Sequence, residues 1–289
     1  MTNSDRLCAL LQSGNLIRIP TCHDALSARL IQLAGFPAAF MSGFGVAAAR
    51  LALPDTGLIS FAEMLGQLRD ICDALPGYPV IGDADTGFGN AMGVRRTVAQ
   101  YAKAGAACVM IEDQVSPKRC GHLDVREVLS RDEARMKIRA AVDVAREVGI
   151  LVLARTDARS LLGFEAALQR CRDFEEEGAD IVFLEAPQSE AEIREYVQRS
   201  RKPSMVNMLV GGKTPYLSRN ELESIGVTIA VYHPTLFAAV KAMQISLEAL
   251  KNGDSVSSVP AASLSEVKDL VGMADYDHLD LKYRSKEQL

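Results

Sequence analysis

Carboxylates in this chain fall in short polar runs, each at the end of an apolar stretch. Asp83-Ala84-Asp85 opens the glycine-rich run Asp83–Asn90, Glu112-Asp113 follows Cys108–Ile111, Arg155-Thr156-Asp157 follows Ile150–Ala154, and Glu185 follows Ile181–Leu184. Asn207 lies in Met205–Met208, while Ser42-Gly43-Phe44-Gly45 and Asp55 lie upstream. Gathered on one rim, these carboxylates need a cation, because buried charge is costly unless paired or metal-bound. Asp83 and Asp85, two apart with flexible chain following, suit Mg²⁺, which takes one or two carboxylates directly and keeps several waters. Asp55 and Glu112 are then expected to hold those waters. An isolated Asp-x-Asp more often caps a turn; the other carboxylates tip the reading toward metal.

A second chemistry is carried by Ser116-Pro117-Lys118-Arg119-Cys120-Gly121-His122. A thiol among Lys118, Arg119 and His122 has the cationic surroundings that make cysteine reactive, and a glycine-containing loop can close over a substrate and exclude water. The other five cysteines, Cys8, Cys22, Cys72, Cys108 and Cys171, sit inside strand or helix patterns, where cysteine is a small hydrophobe.

Positioning these residues requires a scaffold with many strand ends on one face. Eight short apolar runs predict strands over Leu16–Thr21, Ala38–Ser42, Pro79–Asp83, Cys108–Ile111, Ile150–Ala154, Ile181–Leu184, Met205–Met208 and Thr228–Tyr232. Most are continuously apolar, as parallel strands buried on both faces must be. Helical periodicity fills the intervals at Ala25–Ala34, Phe61–Leu75, Val94–Ala104, Ser130–Val148, Phe164–Glu177, Glu190–Arg199 and Ser218–Ile225. Gly35, Gly105 and Gly178 close three of these segments as C-terminal caps. The alternation predicts a (β/α)₈ TIM barrel over residues 1–251, in preference to an open doubly wound sheet. No Gly-x-Gly-x-x-Gly follows the first strand, which counts against a dinucleotide site. Residues 252–289 read as a linker, Asn252–Ser258, and a helical tail, Ser263–Lys286, packed on its own barrel or on a neighbouring subunit.

The chain of 289 residues has 48 % hydrophobic and 24 % charged residues, which suits one large packed core and argues against disorder. Its net charge of −5, without basic runs, gives no footprint for nucleic acid or an anionic membrane surface. No apolar run approaches a membrane span, and Met1–Asn15 has no apolar core of a signal peptide. Six scattered cysteines without Cys-x-x-Cys spacing read as reduced thiols, so a cytoplasmic protein is expected.

Taken together, DADTGFGN (Asp83–Asn90), IEDQVSPKRCGH (Ile111–His122), ARTDA (Ala154–Ala158), LEAP (Leu184–Pro187) and NMLVGGKTP (Asn207–Pro215) resemble the isocitrate lyase / phosphoenolpyruvate mutase superfamily, in order and over nearly the whole chain. The KRCGH loop is specific to its carbon–carbon lyase branch. Within it the chain resembles 2,3-dimethylmalate lyases and petal-death-type proteins more than 2-methylisocitrate lyases. The resemblance implies Mg²⁺ or Mn²⁺ at Asp83 and Asp85, supported through water by Asp55 and Glu112. It implies Ser42, Gly43 and Phe44 around a small 2-hydroxy dicarboxylate, Arg155 on its carboxylate, Glu185 and Asn207 completing the pocket, and Cys120 and Gly121 closing over it. Cys120, Arg155, Glu112, Lys118 and His122 are the expected catalytic set, and a homotetramer exchanging C-terminal helices is implied. The chain departs from 2-methylisocitrate lyases in three places. Phe40 stands where they carry Tyr, Val210 where they carry Glu, and apolar Leu236–Val240 where an Arg is expected on a third carboxylate. An apolar wall facing a carboxylate is penalised, so an alkylmalate is expected over a tricarboxylate. Pro234 matches the lyases, and His233 is unusual. Cleavage of 2-methylisocitrate, hydrolysis or decarboxylation of oxaloacetate, and a non-catalytic barrel are the alternatives.

Overall fold

The computed structural model describes residues 1–121, 127–255 and 259–284. Eight parallel strands, β1 (Ile17–Cys22), β2 (Ala39–Met41), β3 (Val80–Asp83), β4 (Cys108–Glu112), β5 (Leu151–Thr156), β6 (Ile181–Leu184), β7 (Ser204–Met208) and β8 (Ile229–Tyr232), close in sequence order into the expected barrel. Each predicted strand appears, β6 with the predicted bounds and the others shifted by one or two residues at one or both ends.

Alternation along each strand divides the core into two layers. Ile19, Phe40, Ile81, Met110, Leu153, Phe183, Met205 and Val231 form one cluster inside the barrel. Their neighbours one residue away, such as Met41, Val80, Val109, Val152, Val182, Val206 and Ala230, pack with the helices in the other. Leu7, from the helix Asn3–Gln12, joins the inner cluster and closes the N-terminal end. Ser4 ties that helix down by donating to the Ala107 carbonyl at 3.1 Å.

Strand parity has a consequence for chemistry. The residue two beyond the last inner apolar one shares its orientation. Ser42 follows Phe40, Asp83 follows Ile81, Glu112 follows Met110, Arg155 follows Leu153, Glu185 follows Phe183, Asn207 follows Met205 and His233 follows Val231. The polar residues therefore ring the C-terminal mouth, where barrels of this kind place their sites.

The chain forms two compact units, Met1–Leu236 and Phe237–Leu289. In the second, the expected single tail helix is two helices, Leu264–Leu270 and Met273–Tyr283. Gly272 separates them at φ +73°, a left-handed conformation that L side chains rarely adopt. The helix Pro234–Lys251 carries exposed Phe237, Val240, Met243, Leu247 and Leu250. No described helix is long and apolar enough to cross a membrane.

Candidate active site

The run after β3 folds back on itself through left-handed Asp85 (φ +48°), Gly87, Phe88 and Gly89 before Asn90 caps the next helix. Gly87 is required there by close approach as well as by φ, since a Cβ would run into Val94. Backbone amides hold Asp83: Gly43 donates to Oδ2 at 2.9 Å and Asp85 to Oδ1 at 3.0 Å. A Cβ on Gly43 would lie 2.8 Å from Asp83 Oδ2 and 2.9 Å from Asp85 Oδ1, so only glycine lets the Ser42–Gly45 turn approach these carboxylates.

Lys118 reaches into this cluster. Its ammonium lies 2.5 Å from Asp55 Oδ1 and 3.0 Å from Asp85 Oδ1, with all three side chains buried. Burial opposes the charge of Lys118, but Asp85, Asp55, Glu112 and Asp83 outweigh it and hold its pKa well above the usual lysine value. Burial pushes Asp85 up to about 6, with Lys118 pulling it back. The sequence offered Lys118 as a neighbour of Cys120; the structure adds that its ammonium is paired with Asp55 and Asp85.

Arg155 centres the opposite cluster. β4 and β5 pair with Glu112 beside Arg155. The guanidinium grips Asp157 through two bonds of 2.9 and 2.7 Å, meets Glu185 at 3.2 Å and Glu112 at 3.4 Å, and lies over the Phe183 ring. Burial pushes the Glu112 carboxyl well above its ordinary range despite Arg155. Six buried carboxylates (Asp55, Asp83, Asp85, Glu112, Asp157 and Glu185) thus gather around Lys118 and Arg155. Oxygens of Asp55, Asp85 and Glu112 accept no hydrogen bond: the Lys118 contacts are ion pairs without hydrogen-bond alignment. Buried carboxylate oxygens that accept no hydrogen bond fit a divalent cation. Among the described residues no three His, Cys, Asp or Glu side chains are arranged to hold a metal by themselves.

The loop carrying the thiol lies against this centre. Gln114 clamps it, donating to the Arg119 carbonyl at 2.8 Å and accepting from the Arg119 amide at 2.9 Å. A Cβ on Gly121 would strike the Arg155 guanidinium and stand 2.5 Å from Asp157 Oδ1 and 2.6 Å from Glu185 Cγ. Cys120, half-buried, precedes this contact. His122, expected in the catalytic set, lies outside the described residues.

On the far wall, Asn207 donates to Glu185 Oε2 at 3.5 Å and its Oδ1 lies 2.5 Å from His233 Nε2. Phe44 is 36 % exposed, on the turn that meets Asp83. Val210 is 81 % exposed in the turn after β7, and Phe40 is buried in the barrel's inner cluster. Four contributors were not singled out from sequence. Asp157 and Gln114 were visible as polar residues at strand ends. Lys137, whose ammonium donates to the Thr86 carbonyl at 2.9 Å, sits on the helix Arg131–Val148 and carried no signal. Neither did Arg170, which pairs with Asp113 at 3.0 Å.

Residues 7–251 match the phosphoenolpyruvate phosphomutase family. The chain is 41 % identical over 287 residues to 2,3-dimethylmalate lyase of Eubacterium barkeri, covering 98 % of this chain and 99 % of that protein. It is 38 % identical over 282 residues to 2-methylisocitrate lyase of Aeropyrum pernix, covering 96 % and 90 %. Among solved structures, oxaloacetate acetylhydrolase bound to 3,3-difluorooxalacetate superposes with a TM-score of 0.92 at 33 % identity, covering 97 % of each chain. Phosphonopyruvate hydrolase in complex with oxalate and Mg²⁺ superposes with a TM-score of 0.87 at 29 % identity, covering 98 % and 99 %.

Proposed function

The chain belongs to the phosphoenolpyruvate mutase / isocitrate lyase superfamily, and from that premise we propose that it is a carbon–carbon lyase cleaving an alkylmalate-type 2-hydroxy dicarboxylate, such as 2,3-dimethylmalate, to pyruvate or another 2-oxo acid and a short carboxylate. The observation that carries this reading is the loop Lys118–Gly121 seated on Arg155, Asp157 and Glu185, bringing a thiol-bearing segment to a carboxylate-binding centre.

Asp83 and Asp85 would hold Mg²⁺ or Mn²⁺, with Asp55 and Glu112 supporting it through water. When bound, that ion supplies positive charge to the 2-oxygen and its neighbouring carboxylate. Arg155 is fixed by three carboxylates and takes the substrate carboxylate without reorganising. Ser42 and Gly43 form the wall beside it, and Phe44 lies on the same turn. With the C2 hydroxyl proton passed to a carboxylate of the surrounding cluster, the C2–C3 bond breaks, its electron pair staying on C3 as a carboxylate-stabilised carbanion. Cys120 delivers its thiol proton to that carbon, and the closed loop keeps water from competing. The run Leu236–Val240 supplies no cation in sequence for a third carboxylate, which supports an alkyl substituent.

The exposed apolar side chains of the helix Pro234–Lys251 support assembly with further copies, and a homotetramer exchanging C-terminal helices is the arrangement proposed, in the cytoplasm. The likeness to oxaloacetate acetylhydrolase favours a second reading, hydrolysis of oxaloacetate. A coupled pyruvate assay with Mg²⁺, run in parallel on 2,3-dimethylmalate, 2-methylisocitrate and oxaloacetate, decides. Pyruvate from dimethylmalate is expected; pyruvate chiefly from methylisocitrate refutes the alkyl pocket, and oxalate from oxaloacetate moves the chain to the hydrolases.

A further inference from the structure

His233 has no place in the chemistry above, yet it occupies the inward position at the end of β8, two residues beyond Val231. Its Nε2 lies 2.5 Å from Asn207 Oδ1, and its Nδ1 lies 3.5 Å from Thr21 Oγ1. Thr21 is buried on β1, and its carbonyl accepts from Thr235 Oγ1 at 2.7 Å, which ties it to the start of the helix Pro234–Lys251.

The amide oxygen of Asn207 can only accept, so the ring nitrogen facing it must carry a hydrogen. Nδ1 is then the acceptor in the neutral ring, matched by the Thr21 hydroxyl as donor. An amide pinned through its oxygen has one orientation left: Nδ2 turns to Glu185 Oε2, an acceptor it meets at 3.5 Å. The flipped amide would set its oxygen against the Glu185 carboxylate, so that contact fixes the amide orientation and, through it, the tautomer of the ring. A continuous line of polar contacts thus runs from His233 through Asn207 and Glu185 to Arg155.

We propose that His233 is a positioning residue that, as the Nε2–H imidazole, locks the Asn207 amide so that Nδ2 directs one hydrogen to Glu185 and offers the other to an anionic oxygen of the substrate. The inference rests on the reading above only in taking Asn207 to touch substrate. A donor presented at that point favours a carboxylate and disfavours an amide or ammonium analogue, so this residue contributes to specificity without touching the reacting atoms.

The test has two arms. The sequence holds four histidines, so ¹⁵N-imidazole labelling gives four ring systems, assigned by His233→Gln. His233 is expected as the Nε2–H tautomer with a slowly exchanging proton, and Asn207→Ala is expected to release it to a tautomer mixture. An Nδ1–H tautomer, or a spectrum unmoved by Asn207→Ala, overturns the proposal. In the kinetic arm, His233→Leu raises KM for 2,3-dimethylmalate about tenfold, the scale of one lost hydrogen bond to a charged partner, with kcat changed far less. His233→Gln restores most of it, and His233→Leu adds nothing in the Asn207→Ala background. Additive losses overturn the proposal. If the wild type releases no pyruvate from dimethylmalate, the substrate reading fails and the imidazole spectrum alone decides the role of His233.

Discussion

Gly121→Ala probes loop closure directly. One methyl group would meet the Arg155 guanidinium, Asp157 Oδ1 at 2.5 Å and Glu185 Cγ at 2.6 Å, all closer than carbon normally approaches. None of these three can retreat easily. Arg155 and Asp157 hold each other through two bonds, and Glu185 is tied to Arg155 and to the Ala186 amide. Overpacking a tight site of this kind costs about 1–3 kcal/mol, which shifts closure against the loop by roughly 5- to 150-fold. Because an open loop relieves the clash, the cost falls on closure and not on the barrel. The expected result is a fall of that size in kcat/KM in the coupled pyruvate assay with 2,3-dimethylmalate and Mg²⁺. Thermal unfolding should be unchanged, and proteolytic cleavage in the loop faster. Activity within twofold of wild type would falsify the claim that this contact is part of the working site.

Four further outcomes are expected. Cys120→Ser lowers turnover by about 10²–10⁴-fold, the contribution of a positioned general acid, while oxalate binding measured by calorimetry is retained; equal loss of both argues against the thiol as proton donor. Chelation of divalent metal abolishes pyruvate release and lowers the melting temperature, since Asp55, Asp85 and Glu112, each with a buried oxygen that accepts no hydrogen bond, lose part of their counter-charge; an unchanged melting temperature contradicts a metal held by them. Arg170→Met leaves buried Asp113 without its cation and destabilises the fold by about 3–5 kcal/mol in urea, and a loss below 1 kcal/mol would show the pair to be dispensable. Burial raises the Asp173 carboxyl, but bonds from Arg131 and Gln169 outweigh it and hold the pKa below its ordinary value. Its stabilising effect is therefore full above about pH 4 and is lost as pH falls through the lower folded value, so Asp173→Asn should flatten the acid limb of a melting-temperature profile. Parallel profiles for the two proteins would refute this.

Much of the architecture was legible because burial on both faces forces continuous apolar strands. β6 over Ile181–Leu184 and the helix Glu190–Arg199 lie where the pattern predicts them. The helical tail was misread as one piece because an amphipathic pattern runs through Gly272, and only its φ of +73° shows the break. Within the site, Asp83, Asp85, Glu112, Arg155, Glu185 and Asn207 were recognisable as polar residues ending apolar runs. Lys118 was recognised for its charge but its pairing with Asp55 and Asp85 was not foreseen, since loop residues carry no periodicity to say where their side chains reach. Lys137 and Arg170 were illegible for a related reason: on amphipathic helices a basic residue looks solvent-facing until the helix is docked.

The sequence by itself determined the barrel, the end of it that carries chemistry, and the residue types gathered there, because strand parity and burial are local properties of the chain. Tertiary structure alone decided the pairings: Lys118 with Asp55 and Asp85, Gly121 against Arg155, and His233 with Asn207. Those depend on distances between elements far apart in sequence, and the energy of a charge or a hydrogen bond is set by such distances and by the burial around them.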